Sequence, residues 1–131
     1  MSRTEREKGR KAELEVAGIF KAAGFDCDRT PNSGGLRIVG DLHGELPLHV
    51  EVKRQETARP WLWAEQAIGD AGAGERWLVA MRRSRSPWLA LLELEHVVRL
   101  LELERAANAV VQAVADRAVV PLGELVEVLT R

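Results

Sequence analysis

The stretch Asp41-Leu42-His43-Gly44-Glu45-Leu46-Pro47-Leu48-His49-Val50-Glu51-Val52-Lys53 decides how this chain is read, because it spaces two carboxylates and an ammonium so that adjoining strands can gather them. In an extended strand alternate side chains share a face, so Glu51 and Lys53 point one way with His49 while Leu48, Val50 and Val52 point the other. One side of the strand is apolar and the other carries reactive groups. With a preceding strand over Leu36 to His43 and a chain reversal near Leu46, hairpin pairing predicts Asp41 directly opposite Glu51.

Like charges facing each other on a sheet are destabilising unless a cation sits between them or one carboxylate keeps its proton. A hard divalent metal is the natural remedy. Mg²⁺ takes one or two carboxylates together with water and phosphate oxygens, and it lowers the pKa of an attacking water. Lys53 is then placed to orient or deprotonate that water, or to stabilise the charge of a transition state. An exposed, salt-bridged hairpin is the alternative for this spacing alone.

A third carboxylate adds to the pattern. Thr4-x-x-Glu7 reads as a capping box and Gly24 as a helix stop, and between them Val16, Ala17, Ile19, Phe20 and Ala23 recur at helical spacing. The helix runs for about five turns. Glu13 falls at the margin of its buried face, whereas Glu15 is expected to point to solvent. An inward carboxylate is costly unless paired or bound to metal, and the helical neighbours Gly9 and Ala17 bring no charge. Glu13 is therefore expected at the same site as Asp41 and Glu51.

The ordered run Lys8-Gly9, Glu13, Gly24-Phe25, Arg29-Thr30-Pro31, Ser33-Gly34, Gly40-Asp41 and Glu51-Val52-Lys53 resembles the PD-(D/E)XK nuclease superfamily, and within it the archaeal-type Holliday junction resolvases and their small phage relatives. The likeness covers roughly residues 5 to 92. It implies an α/β, restriction-endonuclease-like αβββαβ core whose central mixed sheet is flanked by helices. It also implies hydrolysis of phosphodiester bonds dependent on Mg²⁺, with Mn²⁺ as a substitute, and a homodimer that cuts four-way DNA junctions. Carried over residue by residue, Asp41, Glu51 and Val52 would hold the metal and Glu13 would support it or its water. Lys53 would assist the nucleophile, and Ser33 matches a loop serine used near the scissile phosphate. Gly40 stands where the family usually has proline, a residue that shapes backbone and is not a ligand.

The remaining segments fit that order. Phe25, Cys27 and Arg29 alternate as a first strand, and Pro31 to Gly35 is a loop by composition. Pro60 opens a second helix over Trp61 to Ala71, Gly72-Ala73-Gly74 ends it, and Trp77 to Met81 reads as a buried strand. Trp88 to Leu92 is expected as another strand. A helix follows with Leu94, Val97, Val98 and Leu101 at i, i+3, i+4 and i+7, running to about Arg117, and Pro121 opens a short last helix carrying Leu125, Val126 and Leu129.

At 131 residues, with 46% hydrophobic and 30% charged side chains, the chain is expected to be one globular domain over 1–131: a core over about 4–92 and a helical C-terminal extension over about 93–131. The charged amino terminus and the lack of any run of membrane-spanning length predict no signal peptide and no membrane association, hence the cytosol of a bacterial, archaeal or phage-infected host cell. The single Cys27 can form no internal disulfide and anchors no zinc knuckle; it reads as a small buried residue of the first strand. Gly72-x-Gly74 is no dinucleotide fingerprint and no P-loop is present, so no nucleotide cofactor is expected. His43, His49 and His96 show no ligand spacing along the chain, although His49 lies on the reactive face.

The formal net charge is −1, yet the charge is unevenly spread. Arg3, Arg6, Lys8, Arg10 and Lys11 crowd the first helix and Arg82, Arg83 and Arg85 follow the Trp77 strand, whereas residues 86–131 hold four basic against seven acidic side chains. Phosphate contacts need local Lys and Arg, so a DNA backbone would meet Lys8, Arg10, Arg82, Arg83 and Arg85, and above all Arg29, Arg37 and Arg54 beside the motif strands. No interleaving of aromatic and basic residues suggests base readout, which leaves shape and backbone. Trp61, Trp63 and Trp88 fit either a dimer interface or ordinary core, and the acidic tail fits dimer extension, partner docking or sheet cover. Three functions fit: a junction resolvase, a less selective DNA repair or restriction-like endonuclease, and a non-catalytic DNA-binding scaffold on a nuclease-like fold.

Overall fold

A computed structural model describes residues 2–31 and 40–117, together with 123, 126, 127 and 130. The expected Ser33 and Arg37, the first half of the expected strand over Leu36 to His43, and Pro121, Leu125 and Leu129 lie outside the described residues. The chain divides into two compact units, Met1–Leu92 and Glu93–Arg131.

The first unit opens with α1 (Arg3–Ala22). Its cap is Ser2, two residues before the expected Thr4: the Ser2 hydroxyl accepts from the Glu5 amide at 3.2 Å, and the Glu5 carboxylate accepts from the Ser2 amide at 2.8 Å. The same box chemistry is thus satisfied two residues earlier, and Glu7 pairs instead with Arg3 one turn away. Gly24, with φ of +94°, takes the left-handed position that ends the helix.

Three strands follow: β1 (Cys27–Arg29), β2 (Leu42–Gly44) and β3 (His49–Arg54). After α2 (Pro60–Asp70) come β4 (Trp77–Arg82) and β5 (Leu89–Leu91). The expected αβββαβ order is present, with β5 appended. Strand β1 pairs antiparallel with β2 as a two-stranded sheet, while β3 pairs parallel with β4 and β4 antiparallel with β5, a three-stranded mixed sheet in the order β3-β4-β5.

The expected hairpin between β2 and β3 does not form among the described residues. Leu42 to Gly44 zip onto β1 in the register Arg29 with Leu42 and Cys27 with Gly44. Gly44 makes this approach possible, because a Cβ there would lie 2.5 Å from the Asp26 carbonyl oxygen and 2.8 Å from the Cys27 Cα. Asp41 is a junction residue: its amide donates to the Val50 carbonyl at 3.0 Å and its carbonyl accepts from the Thr30 amide at 2.9 Å, so it stitches the β1–β2 pair to the edge of β3.

The alternation read from the sequence of β3 does hold, and each face meets a different helix. Val50, with Leu48 and Val52, packs toward Val16, Ala17 and Cys27, the α1 side of the core. On the other face α2 buries Trp63 and Ala67 against Trp77 and Val79 of β4. Trp63 is therefore core, while Trp61 is 84% exposed. Cys27 is buried as expected, its thiol donating to the Ala17 carbonyl.

The second unit contains α3 (Leu94–Arg117), matching the expected span, with Glu95 in its first turn and Arg117 in its last. No described helix is long and apolar enough to cross a membrane.

Candidate active site

Glu51 and His49 sit on the α2-facing side of β3, and both are buried, at 3% and 6% exposure. A buried carboxylate must be neutralised or hydrogen-bonded, and here His49 Nε2 lies 2.7 Å from Glu51 Oε1. Burial nonetheless pushes the Glu51 carboxyl up to about 7; the negative charge of Asp41 and a hydrogen bond to it push the same way, and His49 opposes them. Asp41 and Glu51 therefore do come together, as the spacing suggested, but across the sheet edge and not as partners in a hairpin. The Asp41 carboxylate is held by the Val52 amide, which donates to its Oδ2 at 2.7 Å.

Glu13 of α1 reaches the same place from the other layer. Its carboxyl is raised by burial and by the charge of Asp41, against the pull of Arg29. The Arg29 Nε donates to Glu13 Oε2 at 2.9 Å, both side chains largely enclosed. Glu13 thus has a charge partner from β1 that its own helix could not supply. Lys53 donates from Nζ to Gln66 Oε1 of α2 at 2.7 Å.

A cleft of about 760 Å³ gathers these groups: Glu13, Asp41, Glu51, Val52 and Lys53 line it, together with Lys8, Arg10, Arg29, Arg54 and Gln66. Its lining includes six basic and five acidic side chains, so a bound cation would turn its balance clearly positive. Asp41, whose charge raises the proton affinity of both Glu13 and Glu51, makes with them a donor set suited to a hard divalent ion, and the residues present fit one.

Other basic residues are engaged in different ways. Arg54 bridges to Glu56 and Ser84, and Glu56 is drawn down to about 2 by the Ser84 hydroxyl, Arg54 and the Ser84 amide. Arg82 leaves the cleft: it donates to Glu15 at 3.0 Å and to the Ser86 carbonyl at 2.8 Å, and lies over the Trp88 ring. Glu15, expected in solvent, instead ties α1 to β4 and also accepts from the Trp88 indole at 3.2 Å. Arg83 contacts Ser86, and Arg85 occupies a turn at φ of +59°.

Two groups on α2 carry no signal of their own in the sequence: Gln66, which lines the cleft, and Asp70, which lies near His49 and Glu51. Trp63, Gln66, Ala67 and Asp70 stand at i, i+3, i+4 and i+7 of α2, with Trp63 and Ala67 buried and Gln66 and Asp70 exposed, so polar residues at the helical spacing of a buried pair were the available signal.

The family described as "Phage putative PDDEXK endonuclease" matches residues 4–118. The chain belongs to this family. It is a nuclease by that membership, and the expected superfamily is the right one. Among solved structures the chain resembles that of Archaeoglobus fulgidus Hjc, described as a Holliday junction resolvase from an archaeal hyperthermophile, with 21% identity, a TM-score of 0.45, and coverage of 64% of this chain and 76% of that one. No curated protein matches.

Proposed function

We propose that this PDDEXK-family nuclease is a Mg²⁺-dependent, structure-selective DNA endonuclease that cuts four-way junctions as a homodimer, with Mn²⁺ able to replace Mg²⁺. The observation that supports this most is the single cleft in which Glu13, Asp41, Glu51 and Lys53 face Lys8, Arg10, Arg29 and Arg54. Asp41 and Glu51, with the Val52 carbonyl, would hold the metal, and Glu13 would support it or its water. Held there, a divalent ion would supply a nucleophile at neutral pH and offset charge on the phosphate. Lys53, kept in place by Gln66, stabilises the developing negative charge or orients the attacking water. Ser33 would act near the scissile phosphate, and Lys8, Arg10, Arg29, Arg37 and Arg54, with Arg82, Arg83 and Arg85 further out, would follow the DNA backbone. Two symmetric cuts need two sites, which a two-fold dimer provides.

The test is to incubate the protein with labelled four-way junction and with matched linear duplex, in Mg²⁺ or EDTA. Metal-dependent paired nicks in the junction alone are the expected result. Equal cutting of both substrates would make the protein a less selective endonuclease, and tight junction binding without cleavage would make it a scaffold; either outcome refutes the resolvase reading.

A further inference from the structure

On the α2 side of Glu51 a second group of ligating atoms converges. His49 and Glu51 share one face of β3, and Asp70 stands one helical turn beyond Gln66 on α2. One ligating atom from each of His49, Glu51 and Asp70 lies within 4.8 Å of the other two. His49 and Glu51 come from one strand and Asp70 from the end of a helix 19 residues further on, which is why no ligand spacing is visible along the chain.

The backbone is shaped around the histidine. Gly40 has φ of +97°, and a Cβ there would lie 3.0 Å from His49 Cε1 and 3.1 Å from Nδ1. The family's usual proline at this position could adopt neither that angle nor that proximity. The ring therefore rests its Nδ1 and Cε1 edge on Gly40, while Nε2 stands at the Glu51 carboxylate. A buried imidazole with two carboxylates about it supplies one nitrogen and two oxygen donors. That set differs in kind from the all-oxygen set of Asp41, Glu51 and the Val52 carbonyl with Glu13 in support: a nitrogen donor favours transition ions over Mg²⁺ and Ca²⁺, the later ones most and Mn²⁺ least.

We infer that His49 Nε2, Glu51 and Asp70 form a second divalent-cation site, shared through Glu51 with the site at Asp41 and favouring transition ions over Mg²⁺ and Ca²⁺. The inference rests on the reading of Glu51 as a metal ligand. Asp70 is exposed at the end of α2, which gives the ion a route from solvent.

The probe is Mn²⁺ alone, added to the full chain without DNA, with stoichiometry read by calorimetry and imidazole ligation by the ¹⁴N modulation of the Mn²⁺ spin echo. Wild type is expected to bind two Mn²⁺ per chain, one of them with ¹⁴N coupling. His49→Gln should lose that ion and its coupling, and Asp70→Asn, altered only at an exposed side chain, should weaken the same ion tenfold or more. Asp41→Asn should lose the other ion and keep the ¹⁴N signal. One Mn²⁺ per chain, lost in Asp41→Asn and untouched in His49→Gln, would overturn this inference while leaving the proposed nuclease site intact. No Mn²⁺ at all would overturn both.

Discussion

Replacing Glu51 by Gln should stabilise the metal-free protein at alkaline pH, an inversion of the usual effect of deleting a buried polar charge. In the folded chain the Glu51 proton is held up to about 7, against 4.5 for an ordinary glutamate. Ionising the buried group therefore costs the fold roughly 3 kcal/mol, at about 1.4 kcal/mol per pH unit between the two values. The sign follows from proton counting: above pH 4.5 the unfolded chain has released this proton while the folded chain retains it, so the Glu51 contribution is fully present below that pH and lost as pH rises through 7. Thermal unfolding in EDTA, followed for wild type and Glu51→Gln from about pH 4 to pH 8, should show wild type falling relative to the variant by on the order of 10 °C. A divalent ion at about 100 times its Kd should return about 2.7 kcal/mol to wild type at the alkaline end and little to the variant. In Asp41→Asn the window should narrow from its upper side, since the charge of Asp41 is the second cause of the raised proton affinity. Parallel pH profiles for wild type and Glu51→Gln would refute the reasoning, because they would mean that Glu51 titrates alike in both states.

Other expectations concern the groups around it. Asp41→Asn should abolish cleavage and keep DNA binding, measured by nicking and by gel shift on the same junction; full activity would remove Asp41 from the site. Arg29→Met should destabilise the protein by about 1–3 kcal/mol by leaving Glu13 enclosed without its partner, and adding Glu13→Gln should recover most of the loss in denaturant melts. Gly40→Ala should cost about 1–3 kcal/mol for a side chain at left-handed φ and should also disturb the His49 imidazole NMR signals, since the new methyl presses on that ring. Trp63→Ala should cost about 3–5 kcal/mol in chemical unfolding, with Trp61→Ala near neutral because that ring is 84% exposed.

What could be read from the chain was whatever rests on local periodicity. The two faces of β3, the start of α2 at Pro60 and the span of α3 from Leu94 to Arg117 all follow from spacing and capping within a few residues. The convergence of Asp41 and Glu51 was legible too, but its route was not. Which neighbour Leu42–Gly44 would pair with depends on the close pass of Gly44 over Asp26 and Cys27, a long-range contact that no local pattern encodes. The same holds for the partners of charged side chains: Arg29 for Glu13, and Arg82 and Trp88 for Glu15, arrive from elements 16 to 73 residues away. Polarity placed Glu15 in solvent because a helical wheel knows nothing of the strand that ends beside it.

The strict alternation of β3 sets a limit on how this protein can change over evolutionary time. Its six residues face two different helices in turn, so gaining or losing one residue upstream within the strand would swap the inward apolar set with the acid and base set at a stroke. Substitutions can be explored there one at a time, whereas length variation has to be absorbed outside the strand. Related chains that differ in length should therefore keep this segment ungapped and carry their insertions on either side of it.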